Sequence, residues 1–266
     1  GFSKTVSFNT IGQIRDDNSP VMRVFYKEGQ EYASSGNMYF KGTAYDVYDG
    51  KTWSIGNHNL IKPIGRRIQQ PNKEQGPQRV VYEVMLNPSS HKYLFYTSPL
   101  YQLTLKSGAQ GKMISLPDSD SILLNENPTR EVHYECESLL FTHEQKKDAR
   151  LIDTRNLTST IGSLRLSHYL DPGIKSANTL NRLRDYVNKV VADAGNPQDY
   201  DLAQSICRHL QETYQYTKQQ NPTPDVEPVT DFLFNLKQGH CEYLAASMVL
   251  LCRLKNIPAR LVGGYR

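Results

Sequence analysis

No apolar run in the 266 residues approaches the roughly 18 needed to cross a bilayer, and no signal-type apolar stretch follows Gly1. Cysteine is scarce. The four residues Cys136, Cys207, Cys241 and Cys252 include no C-x-x-C pair, so a structural zinc site has no support. Cys241 and Cys252, placed on one helix, would lie about 16 Å apart, beyond the ~7 Å limit between disulfide-bonded Cα atoms. Charge of one sign is also missing: 31 basic residues face 27 acidic ones, a net +4. Arg66-Arg67 and Lys146-Lys147 are the local basic clusters, and neither grows into a stripe, which argues against a nucleic-acid partner. There is no internal repeat and no low-complexity tract. What remains is a polar globular chain with a mean hydropathy of -0.59, long enough for one large domain or two ordinary ones.

The chain has two grammars. Up to about residue 145, segments rich in β-branched and aromatic residues alternate with Asn, Gly, Pro and Ser. They are Val21–Lys27, Met38–Tyr48, Arg79–Leu86, Lys92–Thr97 and Arg130–Ser138. Asp49-Gly50 suits a two-residue turn and makes Tyr39 to Trp53 a hairpin. Gln69 to Gln78 is polar enough for a mobile loop. Short strands in this number predict an antiparallel, sandwich-like β domain over residues 1–150.

After about Leu170 the periodicity becomes helical. Leu180, Leu183, Val187 and Val190 share one face, with Gly195 and Pro197 as the stop. Leu202, Ile206, Leu210 and Tyr214 share another, with Asp199 or Asp201 as the cap. A proline-rich connection leads to a short helix capped by Thr230 and ended by Gly239. The helix that follows is apolar almost all round and should be buried on several sides. Asn256 and Pro258 close it, and a strand from Ala259 to Tyr265 follows. Residues 151–175 read as a connection and 176–266 as the second domain, giving an α+β fold.

Cys241 stands where loop becomes buried helix. Unpaired N–H groups and the positive end of the helix dipole favour the thiolate there, and the same N–H groups could hold an oxyanion. Gly239 removes a side chain where substrate approaches. Against this, free cysteine is often mere packing, and the adjacent Glu242 opposes a lowered thiol pKa. Cys136, Cys207 and Cys252 read as core.

The stretch from Pro228 to Arg266 resembles the nucleophile segment of the transglutaminase-like superfamily, papain-like cysteine acyltransferases and peptidases. Gly239, Cys241, Glu242, Ala245, Leu250 or Leu251, Arg253, Ile257-Pro258-Ala259-Arg260 and Gly264-Tyr265 carry the likeness. Tyr169–Pro172 and, more loosely, Phe40–Trp53 resemble the bacterial membrane-anchored branch. The resemblance implies an N-terminal β domain and an incomplete papain-like transglutaminase core. It further implies an extracytoplasmic location, whether periplasmic or cell-surface, attachment to the membrane only through segments outside this chain, and no metal or organic cofactor. The implied activity is acyl transfer or hydrolysis on a protein or peptide substrate through a thioester on Cys241. In the family a His and then an Asp follow the Cys. Here none of the seven histidines follows Cys241. His240 is its neighbour but diverges from it by ~100° on a helix. His58, His91, His133, His143, His168 and His209 read as surface or packing residues.

The candidate site is therefore Cys241 as nucleophile, with Gly239, His240, Tyr216, Gly263, Gly264 and Tyr265 along an oxyanion or substrate groove. Gly263 to Tyr265 enter because the helix rises about 21 Å and a strand returning at about 3.3 Å per residue regains the thiol after six or seven residues. Tyr214 reads as packing, Arg260 as a structural pair and Trp53 as packing in the β domain. A chain that lacks the family His and Asp is expected to be catalytically silent on its own. Its last strand is expected to show an open edge or be covered by self-association. The rival readings are a non-catalytic relative binding peptide or cell-wall material and a structural β domain with a helical stalk.

Overall fold

The computed structural model describes residues 5–8, 19–31, 38–56, 62–69, 78–89, 91–109, 112–116, 120–140, 163–194, 199–219 and 221–266. His58, His143, Lys146-Lys147, Gly195, Pro197, most of the loop from Gln69 to Gln78 and the expected boundary near residue 150 lie outside them.

In chain order the strands of the first half are β1 (Thr5–Ser7), β2 (Met22–Glu28), β3 (Phe40–Tyr45), β4 (Val47–Tyr48), β5 (Thr52–Ser54), β6 (Lys62–Ile64) and β7 (Arg67–Gln69). They continue with β8 (Gln78–Leu86), β9 (Tyr93–Leu94), β10 (Leu100–Ser107), β11 (Met113–Leu116), β12 (Ser121–Leu124) and β13 (Val132–Leu140). Two antiparallel sheets, ordered β2-β8-β13-β10-β7 and β6-β11-β12-β9, enclose one apolar core. Period two decides the faces: Val80, Tyr82, Val84 and Leu86 on β8 meet Val132, Tyr134 and Cys136 on β13, all buried. On the other face Lys27 pairs with Glu83 at 2.6 Å and Glu135 at 2.9 Å.

The expected strand over Lys92–Thr97 is cut short, for a physical reason. Phe95 N–H donates to the Tyr134 hydroxyl at 2.9 Å and Thr97 N–H to the Tyr82 hydroxyl at 2.7 Å. Side chains from the facing sheet thus take the place of ladder partners, and only Tyr96 bridges a strand, at Lys41. The hairpin also differs from expectation. Tyr48 pairs with Trp53 and Asp49 N–H donates to Thr52 O at 3.2 Å, so the turn is Gly50-Lys51, shifted by one residue. Asp49 Oδ1 accepts the Lys51 and Thr52 amides at 2.8 and 2.7 Å, and Gly50 takes φ 94°. The carboxylate is an acceptor inside the loop rather than a turn residue.

The helices are α1 (Ser163–Leu170), α2 (Ala177–Val190), α3 (Asp199–Thr213), α4 (Pro228–Asp231), which runs on as a π-helical turn over Phe232–Leu236, and α5 (Cys241–Leu254). Ser176 caps α2 through Thr179 N–H at 3.3 Å, and Leu183, Val187, Ile206 and Leu210 are buried as the periodicity required. Two capping expectations are corrected. Glu227, not Thr230, caps α4, accepting from Val229 N–H at 2.9 Å and Thr230 N–H at 2.7 Å. The segment ends at Lys237 in the left-handed region, φ 54°, before Gly239 is reached. Asn256 does take the left-handed conformation, φ 60°.

β14 (Gln215–Tyr216) pairs in parallel with β15 (Gln238–Gly239), and β16 (Leu261–Tyr265) pairs antiparallel with β3 of the first half. The helical core likewise includes Phe8, Tyr45, Tyr48 and Trp53 from the first half, packed with α2 to α5. Arg253 locks these pieces together. With 2% of its surface exposed, it donates to Asp46 O at 2.8 Å, Asp171 O at 2.6 Å and Ala259 O at 2.7 Å. Its guanidinium lies 5.2 Å from the Trp53 ring centre.

Candidate active site

α5 begins one residue after a two-residue strand, so its first residue is set by the pairing that precedes it. Gln215 N–H donates to Lys237 O at 3.3 Å and Thr217 N–H to Gly239 O at 3.0 Å, fixing the backbone on either side of β15. His240 follows as N-cap in an extended conformation, φ -90° and ψ 176°, and its carbonyl accepts Tyr243 N–H at 3.1 Å. Cys241 is then the first helical residue, in the turn where amide N–H groups lack intrahelical acceptors.

This turn sorts its side chains by direction. His240 and Glu242 turn inward, 5% and 9% exposed, with His240 Nδ1 3.6 Å from Glu242 Oε2 and the imidazole edge-on to Tyr243 at 4.9 Å. Cys241 turns outward and is exposed. Along the rest of the helix only Ala245 is exposed, and Leu244, Met248 and Leu254 are half-buried, so the open stripe of α5 starts at the thiol. The expectation of a helix buried on several sides holds.

The other thiols have a different environment. Cys136 and Cys252 are buried and Cys207 is half-buried. Burial pushes the Cys252 thiol up to about 12 and the Cys136 thiol higher still, holding both protonated at neutral pH. For these two thiols steric access and ionisation point the same way.

The remaining candidates divide. Gly239 and His240 adjoin Cys241 in the chain, and Tyr216, 59% exposed, lies opposite Gly239 in the β14–β15 pair. Gly263 lies opposite Thr43. Gly264 and Tyr265 are engaged with the β domain. A Cβ on Gly264 would stand 2.1 Å from Phe40 O, so glycine is needed for β16 to approach β3, and the Tyr265 ring meets Phe95 edge-on at 4.9 Å. Tyr214 is a packing residue whose hydroxyl donates to Leu233 O at 3.0 Å. Arg260 lies over the Tyr169 ring at 5.1 Å.

Other histidines have partners of their own. His133 Nε2 is 2.7 Å from Glu131, His209 Nε2 is 2.8 Å from the Tyr186 hydroxyl, and His91 lies edge-on to Phe95. His168 sits in the last turn of α1. Among the described residues no cluster of His, Cys, Asp or Glu could hold a metal ion.

Sequence reasoning missed the roles of Arg253 and Glu227. An arginine in the last turn of an otherwise apolar helix was a readable signal for the first. For the second, the glutamate directly before Pro228 was one, since proline is favoured in the first helical turn.

Comparison with known proteins gives two family matches: residues 1–143 to the TgpA N-terminal domain and residues 184–266 to the transglutaminase-like superfamily. A protein-glutamine gamma-glutamyltransferase of Pseudomonas aeruginosa is 35% identical over 65 residues, which is 24% of this chain and 10% of that protein. The uncharacterized protein YebA of Bacillus subtilis is 33% identical over 87 residues, 32% of this chain and 12% of that one. The matched stretches thus span about a tenth of these curated relatives. Among solved structures, the periplasmic domain of TgpA from Pseudomonas aeruginosa bound to ethylmercury superposes with a TM-score of 0.66 at 19% identity. That match covers 100% of this chain and 83% of that one. A second crystal structure of the same domain gives 0.66 at 18% identity and covers 81% of its chain. These superpositions show the α+β fold with its N-terminal β domain.

Proposed function

The chain belongs to the family defined by the TgpA N-terminal domain and carries a transglutaminase-like core, and from that premise we propose that Cys241 is the nucleophile of a cysteine acyltransferase or hydrolase acting on protein or peptide amides. The observation that carries the reading is the exposure of one thiol, at the first residue of a buried helix, while the other three are buried or half-buried.

The thiolate adds to the carbonyl carbon of a carboxamide, and the α5 N-terminus faces the oxygen as its negative charge develops. Collapse of the tetrahedral adduct breaks the C–N bond. Ammonia or an amine leaves with a proton from the family base, and the acyl group stays as a thioester. An incoming amine or water then resolves it. The name of the Pseudomonas relative supports glutamine carboxamide as the group attacked. His and Asp enter in the family order, after the cysteine, and no residue of this chain is assigned to either role.

The likeness to periplasmic domains supports an extracytoplasmic place for this unit on a bacterial membrane protein. Among the described residues no helix is long and apolar enough to cross a membrane.

Limited iodoacetamide treatment at neutral pH followed by peptide mapping tests the reading without needing a substrate. Cys241 is expected to be alkylated first, Cys207 later, and Cys136 and Cys252 only on unfolding. Earlier labelling of any other cysteine removes the basis for the assignment.

A further inference from the structure

Two of the contacts that tie the β4–β5 hairpin to the helical core act on opposite ends of the polypeptide around Cys241. Arg253 fastens the far end of α5 to the Asp46 carbonyl. The near end is reached through a different route, beginning at Tyr48.

The Tyr48 ring is buried and stacked on Trp53 at 4.7 Å, and Gly173 presses so closely on the Tyr48 backbone that a Cβ there would lie 1.8 Å from Tyr48 O. Its hydroxyl donates to Glu227 Oε1 at 2.5 Å. Burial, then the neighbouring Glu227 carboxylate, pushes the phenol far above its ordinary range, so Tyr48 remains a donor at any working pH. Glu227 is the cap of α4, and its other oxygen accepts from Thr230 Oγ1 at 2.5 Å as well as from the Thr230 amide.

From that cap the chain reaches Cys241 without a loose segment. α4 passes into the π-helical turn, Lys237 N–H closes it on Phe232 O at 3.0 Å, and β15 leads into the α5 cap. A π-turn and a left-handed lysine are both costly local conformations that hold only while their surroundings fix them. A loosened cap would let them relax, and the first turn of α5 is what would move. Its far end, fixed by Arg253, would not.

We infer that the β4–β5 hairpin is the positioning element of the nucleophile, and that Tyr48, acting through Glu227, is a positioning residue for Cys241. This rests on the reading of Cys241 as the reactive thiol and adds a role for the N-terminal half: it sets the geometry at the start of the nucleophile helix. Hairpin and nucleophile are then parts of one site.

The test is the pH–rate profile of Cys241 alkylation by iodoacetamide in the full 266-residue chain, with Cys207 as internal reference. Tyr48→Phe removes one hydroxyl and keeps the ring. It should move the Cys241 profile toward alkali by about one pH unit, a roughly tenfold slower reaction at neutral pH, while the Cys207 rate and the cooperativity of unfolding stay the same. Glu227→Ala should shift it at least as far, and adding Tyr48→Phe to that background should do nothing more, because the tyrosine acts only through the carboxylate. An unchanged profile in Tyr48→Phe overturns the inference. So does a Tyr48→Phe effect that persists undiminished in the Glu227→Ala background. If Glu227→Ala does not fold, the single Tyr48→Phe profile decides alone. A wild-type Cys241 no faster than Cys207 is a different failure, since it removes the nucleophile reading itself and this inference with it.

Discussion

Cys241→Ser should lower amide or ester turnover by about 10³-fold or more in any preparation of the protein that has it, while leaving the fold intact. The size follows from the chemistry. A serine hydroxyl at the same place is ionised to a negligible extent at neutral pH, and the helix N-terminus that favours a thiolate cannot close a gap of that size. The intact fold follows from position. Cys241 is exposed and contributes nothing to either apolar core, so its replacement leaves no cavity and buries no new polar group. Circular dichroism and the thermal midpoint should match the parent. Cys136→Ser should do the opposite, keeping the nucleophile and lowering stability by about 1–3 kcal/mol, because a hydroxyl replaces a fully buried thiol in the β core. Retention of most of the activity in Cys241→Ser places the nucleophile elsewhere.

Arg253→Met should destabilise the chain by about 3–5 kcal/mol, the order expected when three carbonyls lose their donor at roughly 1–3 kcal/mol each, with the partly buried ones at the low end. Three backbone carbonyls, of Asp46, Asp171 and Ala259, lose their donor, the first in a buried place and the other two in partly buried ones. Methionine fills much of the volume, so the loss reads hydrogen bonding rather than a cavity. Burial pulls the Arg253 guanidinium down to about 10, which still leaves it charged at neutral pH. A thermal midpoint lowered by roughly 10 °C is the expected readout. Arg253→Lys should lie between, since one ammonium cannot reach three carbonyls in three directions. A midpoint within about 2 °C of the parent in Arg253→Met would mean that other contacts hold the hairpin, the α1–α2 connection and the post-helix loop together.

Where a signal is local, the sequence and the structure agree. The 3.6-residue spacing of Leu183 and Val187, and of Ile206 and Leu210, marks the faces that are buried, and the alternation in Arg79–Leu86 and Arg130–Ser138 marks the two long neighbouring strands. Departures come where a distant partner decides. Lys92–Thr97 has strand composition, but tyrosine hydroxyls from β8 and β13 take its amides, and no window of sequence shows that. Asp49-Gly50 has the composition of a two-residue turn, yet the aspartate carboxylate captures two amides and moves the turn along by one.

The site shows the same division. Cys241 at a loop-to-helix junction is legible, because glycine, cysteine and an apolar run fall in order. The hold that Tyr48 and Arg253 exert is not. It joins residues 179 and 207 positions apart in the chain, and each residue alone has the composition of ordinary packing. Gly264 shows a third case: a glycine that suggested room for substrate is instead required by the carbonyl of Phe40.

The most direct test of Cys241 as an acyl-accepting nucleophile is intact-protein mass spectrometry after brief exposure to p-nitrophenyl acetate, with peptide mapping of the adduct. An activated ester needs no general acid to expel its leaving group, so acylation depends on the thiol and its surroundings alone. The expected result is one acetyl group on Cys241, removed by hydroxylamine as a thioester is and absent from Cys241→Ser. Acetylation confined to lysine or tyrosine, or located on another cysteine in the folded chain, would contradict it.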